Sequence, residues 1–131
     1  AYCKIEVKEI EQSRLSQNPS QKEINSALLD EAAKIKKAIP QNAEVITLCI
    51  EGKMLDSIEL SKTLEDLRLS GCGKLCFIIG GSYGLSEEIK AISSFKLSMS
   101  KMTFPHRLAR IMLLEQIYRA FQIEAGTKYH K

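Results

Sequence analysis

No stretch of this 131-residue chain is apolar for the roughly 20 residues that crossing a bilayer requires. The opening AYCKIEVKEI has neither the apolar stretch nor the cleavage site of a secretory signal, so the sequence reads as cytoplasmic, with no membrane among its partners. Cysteine is scarce: Cys3, Cys49, Cys72 and Cys76 sit mostly in apolar runs, where a thiol behaves as a small buried hydrophobe, and no disulfide framework is expected. Cys72 and Cys76 are spaced C-x3-C rather than the C-x2-C of zinc knuckles, and neither histidine has a thiol nearby, so no metal site is expected. The dinucleotide fingerprint and the phosphate loop with its lysine are missing too, since the run IIGGSYG is G-G-x-x-G.

What remains is the composition of one ordinary domain, residues 1–131, with 44% hydrophobic content enough for a single core. Its charge is divided unevenly. Residues 90–131 carry eight lysines and arginines against Glu115 and Glu124, a net of +6, while residues 1–89 carry eleven against fourteen acids, a net of −3. A basic end on a near-neutral body suggests an anionic partner, nucleic acid being the commonest.

Residues 3–9 alternate apolar and charged side chains as a half-buried strand does. Ser20 with Glu23 forms a capping-box pattern, after which Ile24, Leu28, Ile35 and Ile39 recur at helical spacing until Pro40. Residues 45–50 suit a buried strand that ends in a turn at Glu51-Gly52-Lys53. Asp56 and Glu59 start a second helix, lined by Ile58, Leu60, Leu64, Leu67 and Leu69 and stopped at Gly71. LCFII at residues 75–79 is a third strand, followed by a short helix over 86–92, a short strand over 95–99 and a long helix from Pro105 to about residue 123. Strands alternating with helices predict a three-layer α/β/α domain around a largely parallel sheet. In such sheets ligands gather beyond the carboxyl ends of the strands, so the loops at 50–55, 80–85 and 98–104 are expected to lie together.

Several segments have both a plain and a chemical reading. The paired glycines of IIGGSYG make a tight turn or let the backbone press against a flat ligand. The loop at 98–104 is a connection with Thr103 helping to cap the next helix, or it holds a ligand with Lys101 near a phosphate. On the last helix His106 and Arg110 share a face, whereas Arg119 lies thirteen residues from His106 and points to roughly the opposite side. If these residues act together, two chains supply them. Ile111, Leu114, Ile117, Tyr118 and Phe121 make the helix apolar around much of its circumference, which suits a homodimer interface. The last residues of a chain fray by default, yet Tyr129 can stack on a base and His130 can donate, accept or carry charge near neutral pH.

At FIIGGSYGL, LSMSKMTFPH, VITLCIEGKML and the closing YRAF…YHK, the chain resembles the bacterial methyltransferases of the SPOUT class that modify N3 of a pseudouridine in large-subunit ribosomal RNA. The resemblance implies a C-terminal trefoil knot, a homodimer, S-adenosylmethionine as methyl donor and ribosomal RNA as partner. It places cofactor contacts on Leu48 in VITL and on Gly80 in IIGG. In the SKMTF loop it places them on Met99, Ser100, Lys101, Met102, Thr103 and Phe104. His106, Arg119, Tyr129 and His130 fall on positions linked to RNA binding or catalysis. Family members begin with a further strand and helix, and this sequence starts at Ala1 where their second strand stands.

Methyl transfer from a sulfonium is an in-line displacement that needs alignment and an electron-rich nitrogen, and N3 of pseudouridine must lose an imide proton. A neutral histidine can take that proton and a nearby cation favours the anion. The sequence therefore suggests His130 or His106 as base, Arg119 and Arg110 as stabilisers of the anion or the RNA backbone, and Tyr129 against the base. Rival readings are a non-catalytic RNA-binding or ribosome-associated module of the same family, and the same chemistry on transfer RNA.

Overall fold

The computed structural model describes residue 10 and residues 15–70, 73–81 and 83–131; the strand expected over residues 3–9 lies outside these. Helices and strands alternate as α1 (Gln21–Ala38), β1 (Glu44–Met54), α2 (Ser57–Ser70), β2 (Leu75–Ile79), α3 (Glu87–Ala91), β3 (Phe95–Ser98) and α4 (His106–Glu124). The described strands form one sheet in the order β2-β1-β3, parallel throughout. Parallel strands need crossovers, and the helices that supply them cover both faces.

The period of two along each strand decides which face each residue serves. Ile46 and Leu97 pack with Leu60 and Leu64 of α2 and with Leu113, Ile117 and Phe121 of α4. Val45 and Ile78 turn the other way, onto Ala32 of α1, Leu85 and Ile89 of α3. Two apolar layers thus flank the sheet, giving the expected three-layer α/β/α arrangement.

Local chemistry explains where the helices begin. At α1 the Glu23 N–H donates to Ser20 Oγ at 3.2 Å and the Ser20 N–H donates to Glu23 Oε1 at 3.1 Å. Asp56 and Glu59 make the same reciprocal pair at 2.7 and 2.9 Å, starting α2. At α4 the cap is Pro105, with no side-chain hydrogen bond, so Thr103 does not cap this helix as its position suggested.

Two expectations give way to packing. The turn at Glu51-Gly52-Lys53 does not end the strand: β1 continues to Met54, with pairing to β3 interrupted after Leu48 and resumed at Lys53 opposite Leu97. Gly52 permits this, because a Cβ there would stand 2.8 Å from the Lys96 and Leu97 backbone. On α2, Leu60 and Leu64 are buried while Ile58 and Leu69 face solvent, Leu69 being 77% exposed. At 100° per residue they lie off the 60–64–67 line, so only that line meets the sheet.

Helices α2 and α4, on the same face of the sheet, are tied by more than apolar contact. Ser61 Oγ donates to the Ala120 carbonyl at 2.8 Å, and Arg68 pairs with Glu124 while its guanidinium sits 4.8 Å from the centre of the Phe121 ring. This fixes α4 beside α2 on the face of the sheet that both cover.

Candidate functional site

Leu48 stands level with Ile79 of β2 and Leu97 of β3 in the sheet register. Gly80 therefore begins its loop one step beyond Leu48, and the segment from Met99 begins just past the same level on the other side. Residues 55–57 and 97–99 line one cavity of about 540 Å³, together with Ile111, Met112, Glu115 and Gln116 of α4. Two of the three loops expected together thus share it; the loop from Gly80 starts at the same sheet edge but does not line it.

The glycine loop is closed tightly. Gly84 adopts φ +78° and its N–H donates to the Gly81 carbonyl at 3.0 Å. A Cβ on Gly80 would lie 2.6 Å from the Gly84 carbonyl carbon and oxygen, so only glycine fits there. In the next loop Ser98 Oγ donates to the Ser100 carbonyl at 3.1 Å and the Met102 N–H donates to Ser100 Oγ at 3.0 Å. The amides of Lys101, Thr103 and Phe104 make no hydrogen bond to another described residue. Met99 is half-buried against the core, while Lys101, Met102 and Thr103 are exposed and Phe104 is half-buried.

The tail of the chain folds back on α4. Thr127 Oγ1 donates to Gln122 Oε1 at 2.7 Å, its N–H donates to the Gln122 carbonyl at 3.1 Å, and the residues that follow reach Glu115 and Arg119. Glu115 Oε1 accepts from Arg119 Nε at 3.1 Å and from Gln116 Nε2 at 3.0 Å. Its Oε2 accepts from Arg119 Nη2 at 3.1 Å and from the Tyr129 hydroxyl at 2.7 Å. Arg119 Nη1 meets His130 Nδ1 at 3.1 Å, and the same guanidinium lies 4.9 Å from the centre of the Tyr129 ring. Tyr118 meets that ring edge-on at 5.0 Å.

These contacts set the protonation preferences of the cluster. The Arg119 guanidinium, then the Tyr129 hydroxyl, hold the Glu115 carboxyl below its ordinary range. Glu115 in turn raises both Arg119 and Tyr129, because it accepts their hydrogens. Tyr129 is therefore a neutral donor and Arg119 a fixed cation across the working range of pH.

The cluster is linked to the strand ends as well. Gln116, which donates to Glu115, accepts from Ser57 Oγ at 2.7 Å, and Ser57 is the first residue of α2. A continuous set of polar contacts runs from the end of β1 along the cavity wall to the tail.

Of the four residues singled out for catalysis or RNA contact, the fold brings Arg119, Tyr129 and His130 together and leaves His106 apart. His106 is exposed at the first turn of α4, thirteen residues and roughly 20 Å from Arg119 at about 1.5 Å per residue. The residue that sequence reasoning passed over is Glu115, the centre of the cluster. Its spacing of four from Arg119 was the available signal.

Residues 1–130 match the family described as "Predicted SPOUT methyltransferase". The chain is 48% identical over 130 residues to the protein named ribosomal RNA large subunit methyltransferase H of Clostridioides difficile (strain 630), covering 99% of this chain and 82% of that one. A Methanococcus vannielii protein named putative ribosomal RNA large subunit methyltransferase H is 49% identical with the same coverage. The protein of the first of these names in Clostridium botulinum (strain Alaska E43 / Type E3) is 48% identical over 130 residues.

Proposed function

The chain belongs to the SPOUT methyltransferase family, and on that premise we propose that it is a ribosomal RNA methyltransferase acting at N3 of a pseudouridine in the large subunit. The observation that carries this reading is one cavity bordered on one side by Met99, where the candidate cofactor loop begins, and on the other by Glu115, which holds Arg119 and Tyr129 and, through Arg119, His130. S-adenosylmethionine, when bound, supplies a methyl group on a positively charged sulfur. The residues that hold it are Leu48 and Gly80 at the strand ends, and Met99, Ser100, Lys101, Met102, Thr103 and Phe104 of the following loop. Apolar side chains there exclude water from the adenine, and the unused amides of Lys101, Thr103 and Phe104 orient the cofactor's polar edges. The C-terminal region that contains these loops is read as the trefoil knot of the family.

His106, Arg119, Tyr129 and His130 receive the acceptor. Tyr129 positions the pyrimidine and the basic residues around it hold the RNA backbone. With the cofactor bound, its methyl group would pass to N3 and the imide proton would leave to a base or to solvent. Because His106 stands far along α4 from Arg119, a shared site needs a second copy of the chain. The exposed stripe of Leu108, Ile111 and Tyr118 on α4 supports a homodimer, since Ile111 is 63% exposed among the described residues.

The test is single-turnover transfer of a labelled methyl group to ribosomes, free ribosomal RNA and transfer RNA. Label at N3 of a large-subunit pseudouridine is the expected result. Label confined to transfer RNA would overturn the substrate, and a folded protein that binds no S-adenosylmethionine by calorimetry would be a non-catalytic RNA-binding module.

A further inference from the structure

We propose that Glu115 is a positioning residue which, by clamping Arg119, fixes His130 as the neutral tautomer with its proton on Nε2, so that His130 meets the acceptor as a hydrogen-bond donor. The role at the acceptor rests on the methyltransferase reading; the clamp and the tautomer do not.

Glu115 cannot itself take a proton from a substrate. A carboxylate offers about four lone-pair sites, and here Arg119 Nε, Arg119 Nη2, Gln116 Nε2 and the Tyr129 hydroxyl fill them. What it does is hold a fork. Two parallel N–H···O bonds fix the plane of the guanidinium as a single bond cannot, and that plane directs Nη1 at His130 Nδ1.

The tautomer follows from the chemistry of the partner. A guanidinium has only donors and keeps its charge in proteins, so the contact at 3.1 Å requires a lone pair on Nδ1. An imidazolium, or the tautomer protonated on Nδ1, would set N–H against N–H. The ring is therefore neutral, and its one hydrogen is on Nε2.

This revises the deprotonating role that the sequence suggested for His130. Nε2 has no lone pair to receive the imide proton, and Nδ1 is occupied by Arg119. What the ring can do is donate from Nε2 to a carbonyl oxygen beside N3, where negative charge gathers as the imide proton leaves. That proton would pass to solvent or to His106 of a second copy, leaving the N3 pair free to take the methyl group. Tyr129 is likewise excluded as base, since its hydroxyl hydrogen is committed to Glu115.

Two measurements on the full chain decide the matter. Long-range proton–nitrogen correlation spectra of the 15N-labelled protein, at a pH where histidine is neutral, are expected to show His130 wholly protonated on Nε2, and the Glu115→Ala protein an average of both tautomers. A hydrogen on Nδ1 in the unaltered protein, or identical spectra in the two, would overturn the clamp whether or not the protein methylates anything. For the role at the acceptor, His130→Gln keeps a donor near the Nε2 position but no base. It should keep single-turnover methylation within about tenfold of the unaltered protein while His130→Ala loses about a hundredfold, as for other single transition-state donors. Equal losses in both would show that His130 takes the proton after all. Glu115→Ala should lower kcat with little change in KM for RNA, and an effect confined to KM would make Glu115 an RNA contact.

Discussion

At Glu115 the direction of the protonation shift predicts when the tail stays on the helix. Its folded-state value lies below the ordinary 4.5, so its tether is complete above that value and is lost as pH falls through the lowered one. Tyr129 is raised above its ordinary 10.0, so its half of the contact persists below that value and is lost as pH rises through the higher one. The ring resonances of Tyr129, displaced by the edge-on Tyr118, should therefore hold constant between these limits and move toward random-coil positions beyond each. Gly80 makes a second prediction at this scale. Gly80→Ala forces a Cβ into the Gly84 backbone and should abolish calorimetric binding of S-adenosylmethionine while leaving the fold intact. The tight turn after β2 was legible in the sequence because paired glycines after a strand usually make one; Glu115 was not, because an Arg four residues on is an ordinary pairing on any helix surface.

Among the elements, helix starts were the most legible part. Both capping boxes depend on side chains three residues apart, and short-range geometry needs no knowledge of the rest of the fold. Ser20→Ala should destabilise the protein by about 1 kcal/mol in urea unfolding. Leu64→Ala, which empties a 2%-exposed position between α2, the sheet and α4, should cost about 2–5 kcal/mol. Where strands end was harder to read. Glu51-Gly52-Lys53 has the composition of a turn, but β3 offers hydrogen bonds beyond it, and a non-local partner outweighs a local preference. The same applies to Ile58 and Leu69, apolar residues that the packing of α2 leaves in solvent.

For the whole molecule, the proposal that His106 and Arg119 serve one site, together with the exposed α4 stripe, predicts that two copies work together. Ile111→Asp should yield a folded monomer by light scattering with methyl transfer reduced at least tenfold. Mixing His106→Ala with Arg119→Ala chains, each impaired alone, should restore part of the activity through heterodimers in which one site joins His106 of one copy to Arg119 of the other; no recovery would mean that each chain works alone. The sequence by itself determined the alternation of strands and helices, the helix caps, the basic C-terminal third and, through several ordered motifs, the family, because these depend on neighbours along the chain. Only the tertiary structure decided that the tail returns to α4, that Arg119 and Tyr129 share the Glu115 carboxylate while His130 meets Arg119, and that His106 does not join them. Those contacts depend on how far α4 runs and where the chain turns after it, which the packing of α2, α4 and the sheet settles.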